Sequence, residues 1–212
     1  MPEQDVLRHG PIGPSAIHLC VDMQRMFAER TAWGMPWLAR VLPNILAITS
    51  AHSAQTLFTR FIPANKPGQG VGMWRHYYTR WASMTVEQLG PEMVDLVPDL
   101  AAFVPPARIF DKHVYSPWTG SDLHLQLRNA GVDTVIITGG ETDVCVLSTV
   151  LGAIDWGFRV ILVTDALCGS ADETHDATMN IYHNRFGQQV ETLTAQTLLD
   201  CWPVEAATRR SS

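Results

Sequence analysis

The stretch TVIITGGETDVCVLSTVLGAIDWGFRVILVTDAL, residues 134–167, decides the fold. It opens on an apolar, β-branched run with no polar alternation, the pattern of a strand buried on both faces. Gly139 and Gly140 interrupt it. After Glu141, Thr142 and Asp143, the residues VCVLSTVLGAIDWG (144–157) place apolar side chains at helical spacing, with Gly157 as terminator. RVILVTDALCG (159–169) is a second apolar strand. Strand, helix and strand in roughly 35 residues form a crossover that sets the two strands parallel. The turn before the helix carries a lone thiol, Cys145.

The same alternation runs outward from this unit. SAIHLCVD (15–22) and QTLFTRFI (55–62) read as strands, and PWLARVLPNILAITSAHSA (36–54) as the helix between them, bent or divided at Pro43. ARIFDKHVYS (107–116) is a third strand, ending near Asp111 and Lys112. SDLHLQLRNAG (121–131) is a helix capped by Ser121 and closed by Gly131. DETHDATMNIYHNRFG is a helix with Asp172 as cap, QQVETL an edge strand, and a short helix follows. Residues 63–80, PANKPGQGVGMWRHYYTR, read as a long surface excursion, a kind of loop that is usually functional. This is an α/β pattern of parallel units with helices on both sheet faces, in one domain spanning residues 1–212.

The chain has 212 residues, 46% hydrophobic and 17% charged, enough to bury a full core. Its net charge is −6 and no run is rich in Lys or Arg, which argues against nucleic acid as a partner. No apolar run reaches the length of a membrane span, and MPEQDVLRHGPIGPS has no basic-then-apolar leader, so the cytoplasm is the expected compartment. Cys20, Cys145, Cys168 and Cys201 form no CxxC pair. Cys20 and Cys168 lie in apolar strand runs, where a thiol behaves as a small hydrophobe. Neither disulfides nor a zinc site are expected from this spacing. The GxGxxG fingerprint is absent, so no dinucleotide cofactor is expected either.

In parallel α/β sheets, ligands bind at the carboxyl ends of the strands. Asp22 ends the first strand, Lys112 ends the third, and Cys145 follows the fourth by a short turn. Asp165, near the end of the fifth, reads as a cap on a strand–helix turn. The other three form a coherent set of carboxylate, ammonium and thiol. A thiol's pKa of roughly 8.5 falls beside a cation or a helix N-terminus, and both are expected at Cys145, giving a thiolate. Asp22 is placed to take a thiol proton and return it to a leaving amine. The two glycines let backbone approach a substrate and aim N–H groups at a developing oxyanion.

CVDMQRMF (20–27), DKHVYSPW (111–118) and GGETDVCV (139–146) resemble, in order and spacing, the three motifs of the isochorismatase-like cysteine hydrolases, and the resemblance covers nearly the whole chain. It implies a three-layer sandwich with a mostly parallel, roughly six-stranded sheet, related to the Rossmann arrangement. Its amidohydrolase branch looks like nicotinamidase, N-carbamoylsarcosine amidohydrolase, ureidoacrylate hydrolase and biuret hydrolase. By resemblance, Cys145 is the nucleophile, Asp22 the general acid and base, and Lys112 the activating cation. The same likeness implies a thioester acyl-enzyme, a cis peptide bond at Gly140–Glu141, and an oxyanion hole formed by the backbone N–H groups of Glu141 and Cys145. It implies a small amide or ureide as substrate, no cofactor, and a homodimer or homotetramer.

Two other functions compete. Isochorismatase-type vinyl-ether hydrolysis does not depend on the cysteine, so Cys145 favours the amidohydrolase. A non-catalytic binding module on this fold predicts a missing member of the set, and all three are present. Nicotinamidases bind a metal through an Asp and His cluster after the second strand. Here TLFTRFIPANKPG offers Arg60 and no Asp-x-His, so neither a metal nor nicotinamidase activity is expected. Gln24, Phe27, Trp74, Arg75 and Trp118 are the candidates to line the substrate pocket. The aromatic residues Trp74, Tyr77, Tyr78, Trp81 and Trp118 suit either a lid or a packing and oligomer surface. Glu141 stands where many family members carry a small residue. It is expected to bond a substrate amide, to pair with Arg75, or to point away.

Overall fold

The structure, a computed structural model, describes residues 7–204. Six strands form one sheet: β1 (Ala16–Val21), β2 (Thr56–Phe61), β3 (Arg108–Lys112), β4 (Thr134–Gly140), β5 (Arg159–Cys168) and β6 (Val190–Leu193). Their order is β3-β2-β1-β4-β5-β6, and every neighbouring pair is parallel.

Successive strand side chains point to opposite faces. Ile17, Leu19 and Val21 of β1 share one face with Val135, Ile137, Val160 and Leu162. That face packs beneath the helices Leu123–Asn129 and Leu147–Asp155, through Leu123, Leu127, Val150 and Ala153. Cys20, Phe58, Ile136 and Ile161 point the other way. They meet Leu38, Val41, Ile45 and Ile48 of the helix Leu38–Ala51, and Leu198 of the helix Ala195–Cys201. Burial on both faces explains why the inner strands read as unbroken apolar runs. β3, at the edge, is exposed or half-exposed until its last residue, Lys112, which is buried.

Two local expectations change. The helix Leu38–Ala51 continues through Pro43 and is not divided there. Pro43 lies on the solvent side, as does Ala39, whose carbonyl loses its usual partner and stays open to water. Within the excursion 63–80, the segment Met73–Arg80 is a helix. The prolines and glycines before it had suggested loop throughout.

The strand order reverses between β1 and β4, the point where such sheets open a crevice for ligands. The two strands approach closely there. Gly139 has φ +104°, and a Cβ at that position would lie 2.1 Å from the Val21 carbonyl oxygen. Among the described residues, no helix is long and apolar enough to cross a membrane.

One buried polar cluster lies inside the sheet. His18 contacts Thr56 Oγ1 through Nδ1 at 3.1 Å and Thr138 Oγ1 through Nε2 at 2.8 Å. Thr56 Oγ1 spends its single proton on the His52 carbonyl oxygen, 2.9 Å away. Nδ1–H therefore donates to Thr56, and Nε2 accepts from the Thr138 hydroxyl. Burial, helped by His52, lowers the imidazole to about 3, so His18 is neutral in the native state.

The unfolded chain binds this proton below about pH 6.5, whereas the native chain excludes it until far lower pH. His18 thus removes about 1.4 kcal/mol of stability for each pH unit of acidification through that window. Denaturant unfolding should show wild-type stability falling more steeply from pH 6.5 towards 3 than that of His18→Asn. Equal slopes would contradict the neutral imidazole.

Candidate active site

Three side chains meet at the carboxyl edge of the sheet beside the β1–β4 junction. Asp22 is the first residue after β1 and is fully buried, with φ +52°. A short polar side chain tolerates this left-handed backbone, and Asp is among the residues that enter it. Its N–H donates to the Thr59 carbonyl oxygen and to Thr59 Oγ1, both at 3.2 Å. Thr59 Oγ1 in turn donates to Asp22 Oδ1 at 2.6 Å, and Lys112 Nζ donates to Oδ2 at 2.6 Å. Both carboxylate oxygens are therefore held.

Lys112 starts two strands away from β1. Its side chain crosses the end of β2, with Nζ 5.2 Å from the Phe61 ring centroid, and Nζ also donates to the Val114 carbonyl oxygen at 3.4 Å. Burial works against its charge, but the Asp22 carboxylate keeps the ammonium above its ordinary range.

Cys145 does not begin the α-helix, as its sequence position suggested. It lies in a wider, π-helical turn, Thr142–Val146, that leads into the helix Leu147–Asp155. The Glu141 carbonyl accepts from the N–H groups of Val144 (3.1 Å) and Val146 (2.9 Å). Thr149 Oγ1 donates to the Cys145 carbonyl oxygen at 2.7 Å. Cys145 is 6% exposed. The charges of Asp22 and Lys112 both act on its thiol.

The expected resting thiolate is corrected by this arrangement. Burial raises the thiol well above its ordinary value, the Asp22 charge raises it further, and Lys112 opposes both without prevailing. The physical reason is pairing. The Lys112 charge is already matched by Asp22, so the thiol faces an ion pair of zero net charge and burial decides. The resting site is a neutral thiol beside a carboxylate able to accept its proton.

The two glycines also have a packing role that the sequence did not show. They make room for protein atoms. Gly139 lies against β1, and a Cβ on Gly140 would lie 2.6 Å from the Met35 sulfur. The Gly140–Glu141 peptide bond is cis.

A cavity of about 300 Å³ opens above Cys145. Its walls include Phe27, Trp33, Phe61, Tyr77, Trp81 and Tyr115, with Glu141 and Ser170 on one side. Of the five residues expected to line it, only Phe27 does. Gln24 is buried and clamps the end of β2: its Nε2 donates to the Phe61 and Val94 carbonyls at 3.0 and 2.6 Å, and its Oε1 accepts from Phe61 N–H at 2.7 Å. Trp74 packs behind the wall, with ring centroids 5.2 Å from Tyr77 and 5.0 Å from Tyr115. Arg75 is exposed. Trp118 lies on the opposite face of the sheet, donating to the Thr149 carbonyl at 2.9 Å and packing over Gly152.

Trp33, Tyr115 and Ser170 were not anticipated as lining residues. Tyr115 had a usable signal, since it lies within the second motif, three residues after Lys112. Tyr77 and Trp81, weighed as part of a lid or a packing surface, both line the cavity, Tyr77 from the helix Met73–Arg80 and Trp81 from the residue that closes that helix.

Glu141 forms no ion pair among the described residues, with Arg75 or any other cation. Burial raises its carboxyl above the ordinary range; Ser170 hydrogen bonds counter this, and the charges of Asp143 and Asp22 add to it. Burial also raises the Tyr77 and Tyr115 hydroxyls, leaving both as neutral groups. At the end of β2, where nicotinamidase-type metal ligands would be sought, Arg60 donates to Asp111 at 2.8 and 2.9 Å and to Asp95 at 2.9 Å. A guanidinium already neutralising two carboxylates does not fit a cation. Among the described residues, no three His, Cys, Asp or Glu side chains gather to hold a metal.

The charge balance at Cys145 gives opposite outcomes for its two neighbours. Asp22→Asn removes the anion and frees the Lys112 charge, so the apparent thiol pKa, read from the pH dependence of iodoacetamide alkylation, should fall by at least about one unit. Lys112→Gln should raise it. A higher thiol pKa in Asp22→Asn would refute this balance.

Residues 16–194 match the family model described as the isochorismatase domain. Over 100 residues the chain is 36% identical to the uncharacterized isochorismatase family protein YwoC of Bacillus subtilis (strain 168), a match spanning 44% of this chain and 53% of that protein. The chain thus spans about half the length of this relative. It is 28% identical over 173 residues to Nicotinamidase 3 of Arabidopsis thaliana, covering 81% of this chain and 82% of that one. The crystal structure of a cysteine hydrolase from Pseudomonas syringae pv. phaseolicola 1448A shares the fold, with a TM-score of 0.76 at 24% identity over 92% of this chain and 97% of that chain. With the family match running from the first residue of β1 to the residue after β6, the chain belongs to the isochorismatase family.

Proposed function

We propose that the protein is a cysteine-dependent amidohydrolase that cleaves the C–N bond of a small amide, ureide or carbamoyl compound. One observation carries this reading. A buried thiol in the wall of an aromatic-lined cavity lies under the influence of a carboxylate whose charge a lysine already holds. The 28% identity to Nicotinamidase 3, an amidase by its name, supports it.

The Cys145 sulfur attacks the substrate carbonyl carbon while its proton passes to Asp22. Because the resting thiol is neutral, transfer and attack proceed together, and no lone thiolate has to exist in the buried site. The carbonyl oxygen takes up the negative charge in front of the backbone N–H groups of Glu141 and Cys145. Asp22 returns the proton to the leaving nitrogen, the C–N bond breaks, and ammonia or an amine departs from a thioester. A water then gives its proton to Asp22 as its oxygen attacks the thioester. The C–S bond breaks, the acid leaves, and the proton returns to Cys145. Lys112 stays protonated throughout and keeps Asp22 ionised between transfers. The ring-lined walls exclude bulk water, which strengthens these interactions.

A panel of small amides and ureides screened for ammonia release identifies the substrate. On that compound, Cys145→Ala should lower kcat by at least about a thousandfold, and added hydroxylamine should divert the acyl-enzyme to a hydroxamate. A vinyl-ether hydrolysis would leave no acyl group to trap. Full activity in Cys145→Ala would overturn the proposal.

A further inference from the structure

The cavity above Cys145 has a distinct charge character. Among the described residues, six of its lining side chains are aromatic, its one carboxylate is Glu141, and no lysine, arginine or histidine lines it. The cation behind the thiol, Lys112, is held at 2.6 Å by Asp22 and presents little net positive potential to the cavity. Glu141 has no ion-pair partner among the described residues, and the Asp143 charge acts on it in the same sense as its own. The space in front of the nucleophile is therefore negative.

The walls reinforce this. Trp33 and Tyr77 have centroids 5.7 Å apart, Trp33 and Trp81 6.3 Å, and Tyr77 and Trp81 6.5 Å, at interplanar angles of 37°, 67° and 52°. The three rings form a corner instead of a stack, so both faces and edges meet the cavity. Aromatic faces carry negative quadrupole density and attract cations, most strongly when water is excluded. An anionic substrate would meet the Glu141 charge and the negative ring faces, and a neutral one would leave the Glu141 charge without a counter-charge.

We propose that the scissile amide belongs to a cationic substrate, a small amide or ureide bearing a substituted ammonium group, which the Trp33, Tyr77 and Trp81 rings and the Glu141 carboxylate hold while Cys145 faces the carbonyl. This rests on the amidohydrolase reading and adds the charge of the substrate to it. The cavity is at the small end of ligand pockets, so the amide and the ammonium lie only a few bonds apart.

The test compares two amides of one shape: trimethylammonioacetamide, which is cationic, and 3,3-dimethylbutanamide, in which carbon replaces the charged nitrogen. In the wild type, kcat/KM for ammonia release should favour the cation at least about tenfold, and the ratio should fall towards one in Glu141→Gln. A ratio near one in the wild type, or an undiminished ratio in Glu141→Gln, overturns the proposal and leaves the amidohydrolase reading standing. A second measurement is independent of hydrolysis. Tetramethylammonium chloride should slow iodoacetamide alkylation of Cys145 more than sodium chloride at equal ionic strength, and less so in Glu141→Gln. No protection overturns the cation site. Protection with neither amide hydrolysed supports the cation site and counts against the amide chemistry.

Discussion

The buried ion pair between Lys112 and Asp22 is the constraint on which the site depends. Each charge leaves water at a cost of several kcal/mol, on the order of what a well-made pair returns. The structure meets that cost with geometry. Thr59 takes one carboxylate oxygen and Lys112 the other, both at 2.6 Å. The pair also joins the edge of the sheet to its centre, because Lys112 ends β3 and Asp22 follows β1, with β2 between them. Gln24 pins the end of β2 through both its amide nitrogen and its oxygen, keeping Phe61 in place beneath the lysine side chain. Removing either charge would leave the other buried and alone, so the sheet edge and the site are one unit.

The same pair sets the state of the thiol. Had Lys112 been free, its charge would have favoured a thiolate at Cys145. Matched by Asp22, it leaves burial to dominate and the thiol stays protonated. A neutral buried thiol reacts slowly with alkylating agents and oxidants, since the thiolate is the reactive form. In the proposed amidohydrolase, reactivity then appears only when a carbonyl is positioned so that bond formation and proton transfer to Asp22 coincide. Selectivity follows from placement more than from an intrinsically activated sulfur.

The apolar runs of β1, β2, β4 and β5 were readable because strands buried on two faces need no polar alternation. The carboxyl-edge rule for parallel sheets then picked out Asp22, Lys112 and Cys145. Asp165 was readable as a cap, and its Oδ1 accepts from the Ala195 N–H at 2.7 Å. What depends on partners brought together by the fold was not readable. The protonation of Cys145 follows from which charge Lys112 meets, and the sequence shows only that both charges exist. Trp118 and Trp33 are both tryptophans near a motif, yet one faces the Leu147–Asp155 helix and the other the cavity. The direction in which each segment leaves the sheet decides this, and hydropathy does not encode it. The helix at Met73–Arg80 was hidden by the prolines and glycines before it, and with it the way it brings Tyr77, and Trp81 at its end, to the cavity.

Glu141 divides its contacts between backbone and side chain. Its carbonyl organises the turn that holds Cys145 by accepting from Val144 and Val146. Its side chain belongs to the cavity, close enough to Tyr115 for its charge to raise that hydroxyl. Behind the thiol, the charges of Lys112 and Asp22 cancel; in front of it, the charge of Glu141 is unpaired. Among the described residues, the Glu141 carboxylate shares no hydrogen-bond partner with Asp22, Thr59 or Lys112, and it meets Asp22 only through its charge. Side chains at this one position can therefore vary without rebuilding the turn, and the charge of the cavity can change while Cys145, Asp22 and Lys112 stay in place.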